Sequence, residues 1–452
     1  MVRYFDAELE TMPWTDVLAW QAERTATFVR GLVDRSPFHT EKLAGVGVPT
    51  GVVRDLAFLE DLPFTTKAEV RESQSTRDPA LPLGRHQAVP RGAIHQVLSS
   101  SGTTGQPVLY GLTATDVEMW ADVIATAFWT AGVRPDDIAG HLVGLPGVAG
   151  GLPYADGFRR IGAGLAWIGG WPTERVVELM ISLGVDAVLA TSSFGTYLTD
   201  RCEDLVGIPA KDIGVRKMLG GGEPGLGQPE IRQKIVEGWG LDVLSEIMGL
   251  GDVLACLWAE CEDGGGMHFC GQRAVAVELV DPATGEPRAW EEGVRGEAVY
   301  TTFAREATPA LRYRSRDHVL VTATSCACGR TSPRIRCVGR TDDMLIYKGM
   351  NVFPSSLRDV VLQGFADDVQ PSIRVWKDGS DQVRFDGPIP MDVEASDDLA
   401  PDRYREVAAA IAADVRARLQ VRVAVTVVAP GSMPRTAYKT PLVHVRETDD
   451  DQ

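Results

Sequence analysis

The 452-residue sequence has no long apolar run, no surplus of positive charge, no low-complexity tract and no internal repeat. Each absence removes a class of explanation. Without a long apolar stretch there is no candidate membrane span. The opening MVRYFDAELETMPWTDVLAW alternates acids with apolar residues where a secretory signal needs an apolar core. A cytoplasmic protein is therefore expected, without a disulfide framework and with its seven cysteines free or metal-bound. A net charge of -17 disfavours nucleic-acid backbone binding, which depends on clustered Lys and Arg, although a local basic pocket for one nucleotide remains compatible with it. The pattern GxxxxGK[ST] is missing, which excludes a P-loop NTPase. A GxSxG elbow and an obvious Cys-His catalytic pair are missing too, so no side-chain nucleophile is implied.

Hydrophobic residues at 44% and charged residues at 24% describe an ordinary globular composition. The length exceeds what one core usually serves, so a large domain with a smaller one is expected. From Thr113 to Gly132 the apolar residues Val117, Trp120, Ile124 and Phe128 recur at helical spacing, with Thr113 or Thr115 placed to cap and Gly132 to stop. Beyond it, IAGHLVGLP and VDAVLATSS flank the helical ERVVELMISLG, and RKMLGGGEP and DVLSEIMG flank EIRQKIVEGW. Strand, helix, strand in repetition is the pattern of an α/β domain with parallel strands. Between roughly Arg273 and Arg314, short alternating runs predict hairpins and a β-rich subdomain. After GRTDDMLIYKGMNVFP the pattern restarts with helix SSLRDVVLQGF, strands SIRVWK and QVRFDG around KDGSD, helix DRYREVAAAIAADVRARL and strand VRVAVTVVA. The fold class read from this is α/β, with a large N-terminal domain over 1–340 and a small, mobile α+β C-terminal domain over 341–452, hinged near Asp342.

Between HQVLSS and PVLYGL lies the loop Ser99-Ser100-Ser101-Gly102-Thr103-Thr104-Gly105-Gln106-Pro107. Its backbone N–H groups and hydroxyls can face phosphate oxygens, with Gly102 and Gly105 admitting close approach. A plain hairpin turn accounts for the composition equally well. The ordered motifs that follow decide between the two. Together they resemble the adenylate-forming acyl-CoA synthetases, specifically the phenylacetate-CoA ligase branch, from LPFTTKAEVRE near Leu62 to PRTAYKTPLV near the end.

The resemblance implies that Ser100, Ser101, Gly102, Thr103, Thr104 and Gly105 bind the ATP phosphates, with Gln106 where the family has lysine. It implies that Gly222, Glu223 and Pro224 of GGGEPG line the adenine. Met248, Gly249 and Asp252 of MGLGD stand in the place of Y-G-x-[ST]-E, whose acid helps hold Mg²⁺ on the phosphates. Asp317 of YRSRD is then the acceptor of both ribose hydroxyls, Arg340 of GRTDD a ribose contact, and Asp342 the pivot of the small domain. Lys439 of PRTAYK is the lysine that reaches in for adenylation, with Tyr438 where the family has glycine. Gly150, Tyr154 and Phe194 fall where the family builds its acyl pocket, and planar walls suit an aryl acid, though aromatic residues are more often plain core.

A separate constellation concerns metal. Cys261, His268, Cys326 and Cys328 supply three thiols and one imidazole in short-spaced pairs joined by a long loop, the ligand set of a closed structural Zn²⁺ site. Cys256 and Cys270 lie close enough in sequence to compete, and some relatives in the branch carry a similar C…H…CxC arrangement. Such a site would clamp the hairpin region to the strand before the hinge.

The implied activity is an AMP-forming acid–thiol ligase that uses ATP, Mg²⁺ and coenzyme A on a small carboxylic acid. An amine or a carrier protein's phosphopantetheine arm as acceptor, and a nonenzymatic nucleotide-binding protein, are the alternatives. Relatives in this branch are often homodimers. No nucleic-acid or membrane partner is implied.

Overall fold

The computed structural model describes residues 3–75, 78–100, 108–143, 146–222, 226–341, 344–348, 350–379, 382–433 and 441–446. Among these, the organising element is an eleven-stranded mixed sheet. Its parallel part runs Gly164–Trp167, Ile138–His141, Ala187–Ala190, Lys217–Gly220 and Val243–Leu250. From Val243–Leu250 onward every pairing is antiparallel, through Leu254–Glu260, Met267–Phe269, Arg334–Arg340, Tyr313–Ala323, Arg295–Thr302 and Val275–Val280. Val243–Leu250 is therefore the strand at which the sheet changes character, and open sheets bind ligands beyond the carboxyl ends of their parallel strands.

The helices form where the periodicity places them. Ala114–Thr130 starts at Thr113, whose hydroxyl and the Asp116 carboxylate make a reciprocal capping box. Trp120, Ile124 and Phe128 are buried in the main core together with Leu254, Leu257 and Trp258 of the facing strand. Thr173–Leu183 and Pro229–Trp239 each end on a left-handed glycine, Gly184 and Gly240. The Leu152–Ile161 helix and the Gly164–Trp167 edge strand carry no clear periodic signal in the sequence, because Gly and Pro break the pattern of GLPYADGFRRIGAGLAW.

The C-terminal unit has its own core, built on Leu357, Val361, Ile373, Val375, Met391, Val393 and Ile411. Its four-stranded sheet runs Val423–Val428, Ile389–Ala395, Val369–Lys377 and Val443–Val445. Here the pairing differs from the sequence expectation. Val369–Lys377 takes Ile389–Ala395 as antiparallel partner, while Arg384–Phe385 pairs parallel with Leu345–Tyr347 in a separate small sheet. The two prolines of GPIPMDVEA hide a central strand, since proline signals edges and loops.

The N-terminal segment carries two buried histidines. His39 and His86 are 1% and 2% exposed; each meets a serine through Nδ1, Ser36 at 2.9 Å and Ser73 at 2.7 Å. Among the described residues neither Nε2 finds a partner. Burial pushes both imidazoles from 6.5 down to about 3. Below pH 6.5 the unfolded chain therefore binds protons that the folded chain refuses, so this contribution is complete above that pH and is lost as pH falls toward 3. A His39→Gln/His86→Gln variant is expected to lose about 4 kcal/mol less stability than the native protein between about pH 7 and about pH 5. Urea unfolding at both pH values measures this, and equal losses would contradict it.

Candidate active site

Segments distant in sequence meet beyond the carboxyl ends of the parallel strands. Gln96–Ser99 and Leu109–Leu112 form the expected hairpin. Ser100 N–H donates to Val108 O at 2.9 Å, and Val108 N–H to Ser100 Oγ at 3.2 Å, which closes the base of the phosphate loop. The rest of that loop, Ser101, Gly102, Thr103, Thr104 and Gly105 with Gln106, lies outside the described residues. Ser99 N–H also donates to Gly147 O at 2.8 Å, tying this hairpin to the Gly-rich segment after Ile138–His141.

That segment turns back toward the MGLGD motif: a Cβ on Gly251 would sit 3.0 Å from the Cβ of Ala149. A Cβ on Gly249 would collide with the carbonyl of Ala255 in the neighbouring strand, and one on Gly221 would come within 2.7 Å of Ile247 O. Only glycine lets these backbones approach so closely. Met248 is half-buried against the main core. Gly222 has φ of +87° and open space where its Cβ would be. Glu223 and Pro224 lie outside the described residues.

Asp252 is 8% exposed and is surrounded by donors. Tyr110 and Tyr313 both donate hydroxyls to its Oδ1, Tyr313 at 2.8 Å. Burial, then the Asp252 charge, pushes both phenols well above the ordinary tyrosine range, so they remain donors. Lys67 Nζ is 3.4 Å from the same Oδ1. Lys67 opens the helix Lys67–Ser73, whose Thr66–Glu69 capping box fixes its start. Thr65 anchors that start to the strand of Tyr313 through Arg314 N–H to Thr65 O, 2.8 Å. Lys67 went unnoticed in the sequence although it stands inside TTKAEVRE, because nothing local connects it to a residue so far along the chain.

Asp317 and Arg340 are cross-strand partners in the antiparallel pair Tyr313–Ala323 and Arg334–Arg340. The Arg340 guanidinium donates to the Asp317 carboxylate and, at 3.2 Å, to Ser315 O. Asp342 and Lys439 lie outside the described residues. Tyr154 sits on Leu152–Ile161, its hydroxyl on Ala255 O at 2.8 Å and its ring edge-on to Phe128 at 5.3 Å. Gly150 is three residues before Pro153, in the segment that carries Ala149. Phe194 occupies the start of Ser192–Val206 and rests against a different apolar cluster, that of Leu198 and Ile235, beside Tyr197 at 6.4 Å. His141, absent from the sequence expectation, joins the Tyr154 side: its Nε2 donates to Gly151 O at 3.0 Å and its ring stacks on Trp167 at 4.9 Å.

The metal quartet converges. One ligand atom from each of Cys261, His268, Cys326 and Cys328 lies within 4.8 Å of all the others. Cys261 Sγ and Cys326 Sγ are 3.7 Å apart, and Cys328 Sγ and His268 Nε2 are 3.4 Å apart. His268 Nδ1 faces Ser332 O at 3.2 Å, which leaves Nε2 for the cluster. Cys256 and Cys270 are not part of it and lie in the main core. The loop is clasped by the N-terminal segment: buried Arg330 donates to Glu10 Oε2 at 2.7 Å, and Tyr4 to Cys328 O at 2.9 Å.

The small unit docks through Pro354–Phe365. Gln228 donates to Asp359, Ser355 Oγ to Val338 O at 3.1 Å, and Leu362 joins a cluster of the large unit.

Residues 349–445 match the family described as AMP-binding enzyme C-terminal domain. The phenylacetate-coenzyme A ligase of Thermus thermophilus is 32% identical over 96% of this chain and 97% of its own length, and that of Pseudomonas putida 33% over 80% and 81%. Among solved structures, 2-hydroxyisobutyryl-CoA ligase in its postadenylation state, with 2-HIB-AMP, is 25% identical over 98% of this chain and 93% of that one, with a TM-score of 0.87. The same enzyme in its thioesterification state, with 2-HIB-AMP and CoA, is 25% identical over 98% and 92%, with a TM-score of 0.70. The two units here are thus disposed more nearly as in the postadenylation state. On sequence and fold together, the chain belongs to the phenylacetate-CoA ligase family of adenylate-forming enzymes.

Proposed function

We infer that this protein is an ATP-dependent, AMP-forming ligase that joins a carboxylic acid to coenzyme A through an acyl-adenylate. The observation that supports the reading is that one strand, Tyr313–Ala323, both holds Asp252, our candidate metal acid, through Tyr313 and carries Asp317, our candidate ribose acid, opposite Arg340.

The substrate carboxylate attacks the α-phosphorus of ATP and pyrophosphate leaves. Both reactants are anionic, so oriented donors and positive charge must offset their repulsion. Lys439, Thr103 and Thr104 are our candidates for that task. Lys67, beside Asp252, adds the cation that Gln106 leaves out of the loop. Ser100, Ser101, Gly102 and Gly105 would complete the phosphate cradle, Gly222, Glu223, Pro224, Met248 and Gly249 the adenine slot, and Asp317 and Arg340 the ribose clamp. Mg²⁺, when bound at Asp252, would supply charge neutralisation on the phosphates, and a hard carboxylate oxygen suits it. The domain limits we adopt are 1–340 and 341–452, with rotation at Asp342 withdrawing Lys439 and bringing the segment Lys348-Gly349-Met350-Asn351, just after the hinge, toward the thiol's path before the thiol attacks the acyl carbonyl and AMP departs.

For the acid we propose an aryl acid, held between the Gly150 segment and Tyr154, with Phe194 further out. The edge-on Tyr154–Phe128 wall, backed by His141, supports a planar guest. The relatives named for phenylacetate point the same way. Thioester formation across phenylacetic, benzoic, hydroxybenzoic, aminobenzoic and short aliphatic acids tests this. One aryl acid should exceed the aliphatic acids by at least about tenfold in kcat/KM, whereas preference for a short aliphatic acid would overturn it. We read coenzyme A as the acceptor in preference to an amine or a carrier protein.

Zn²⁺ is our reading of the quartet. Bonds of about 2.3 Å to sulfur and about 2.0 Å to nitrogen give tetrahedral edges of roughly 3.8 Å for S···S and roughly 3.5 Å for S···N. The observed 3.7 Å and 3.4 Å support that geometry, as does the carbonyl partner on the far nitrogen of His268. With four protein ligands the site is structural.

A further inference from the structure

Asp252 is shorter by one methylene than the glutamate its family uses, so its carboxylate must be aimed by something other than reach. Four segments converge on it. Tyr110 of Leu109–Leu112 and Tyr313 of Tyr313–Ala323 load a single oxygen, Oδ1. Lys67 of the first helical turn approaches that same oxygen at 3.4 Å. Arg305, fully buried, donates Nη1 to the carbonyls of Asp252 at 2.7 Å and Val253 at 3.1 Å, which pins the peptide that carries the carboxylate. Arg305 is itself held between Trp120 and Tyr110, its guanidinium 5.2 and 5.5 Å from the ring centroids. The loop after it is anchored by Glu306 N–H and Ala307 N–H on the Asp116 carboxylate, at 2.7 and 3.0 Å. Among the described residues none donates a hydrogen bond to Oδ2.

The χ2 angle of an aspartate is broad, so the plane of an untethered carboxylate is loosely set. Two phenols on one oxygen fix that plane and with it the direction of the second oxygen. We propose that Tyr110 and Tyr313 are positioning residues that hold Asp252 by Oδ1 and so present Oδ2 to the divalent cation of the nucleotide, with Arg305 fixing the main chain beneath. This rests on Asp252 being the metal acid. It also accounts for the shorter side chain: the acid is aimed by its neighbours. Each buried phenol takes Asp252 as its acceptor, and the two hydroxyls lie against one another.

The test replaces hydroxyls alone, with Tyr110→Phe, Tyr313→Phe and the pair. Mn²⁺ is titrated by electron paramagnetic resonance into each protein with the α,β-methylene analogue of ATP, and pyrophosphate release is followed against Mg²⁺ with ATP itself. Each Phe variant should weaken Mn²⁺ about tenfold and the pair more, while saturating Mg²⁺ restores most of the pyrophosphate release. Unchanged Mn²⁺ affinity in both single variants, or losses that saturating metal does not repair, would overturn the proposal. An Asp252→Asn variant separates the two layers. If it abolishes Mn²⁺ binding while the Phe variants leave it intact, the metal acid stands and the positioning falls; if it too leaves binding intact, both fall.

Discussion

A Lys439→Ala variant is expected to release pyrophosphate about a hundred- to a thousandfold more slowly than the native enzyme, the range typical of removing one preorganised electrostatic donor. Thioester formation from presynthesised acyl-AMP should change far less. The reason lies in the charges of the two half-reactions. In the first, an anionic carboxylate approaches an anionic phosphate, and Lys439 would meet the charge that develops between them. In the second, a thiol would meet an acyl carbonyl already activated by its adenylate, and on our reading the small domain would have turned the lysine away. The chain matches the postadenylation state of a relative more closely than its thioesterification state, TM-score 0.87 against 0.70. Gln228–Asp359 and Leu362 are among the contacts that such a turn must break. Single-turnover assays of each half-reaction measure the split, and equal losses in both would count against the alternation.

Removing Cys328, which we read as a Zn²⁺ ligand, is expected to destabilise the fold strongly. Structural zinc contributes about 10–16 kcal/mol of apparent binding in small peptides, and even a fraction of that rivals the net stability of a domain. Cys328 also accepts from Arg330 N–H at 3.4 Å, and Arg330 in turn holds Glu10. Loss of the metal would therefore loosen the N-terminal clasp and the buried Glu10–Arg330 pair within it. Native protein should carry one zinc per chain by elemental mass spectrometry. Cys328→Ala should carry none and melt well below it, while Cys270→Ala, in the apolar core, should keep its metal. Native protein purified without chelator and free of zinc would remove the idea.

Much of this was readable from the residues because it is local. The Thr113 cap, the hairpin around the phosphate loop and the parallel strands each follow from patterns within about twenty residues. The pairing of Asp317 with Arg340 and the convergence of Cys261, His268, Cys326 and Cys328 were also approachable, since short motifs mark both. What escaped was long-range. Lys67, Tyr110, Arg305 and Tyr313 meet at Asp252 from segments up to 246 positions apart (Lys67 to Tyr313), and no periodicity reports that. The Glu10–Arg330 clasp spans 320 positions for the same reason. The strand Ile389–Ala395 was hidden by its prolines, and Phe194 proved to sit in a different cluster from Tyr154 because a helix start, once folded, turns its ring toward its own helical neighbours.

An acyl-adenylate on the reaction path leaves an isotopic record that oxygen tracing reads. With the accepted acid labelled by ¹⁸O in both carboxyl oxygens, plus ATP, Mg²⁺ and coenzyme A, AMP should gain one ¹⁸O, pyrophosphate none, and the thioester should keep the other. Label in inorganic phosphate with ADP as product, or AMP without label, would contradict the mechanism.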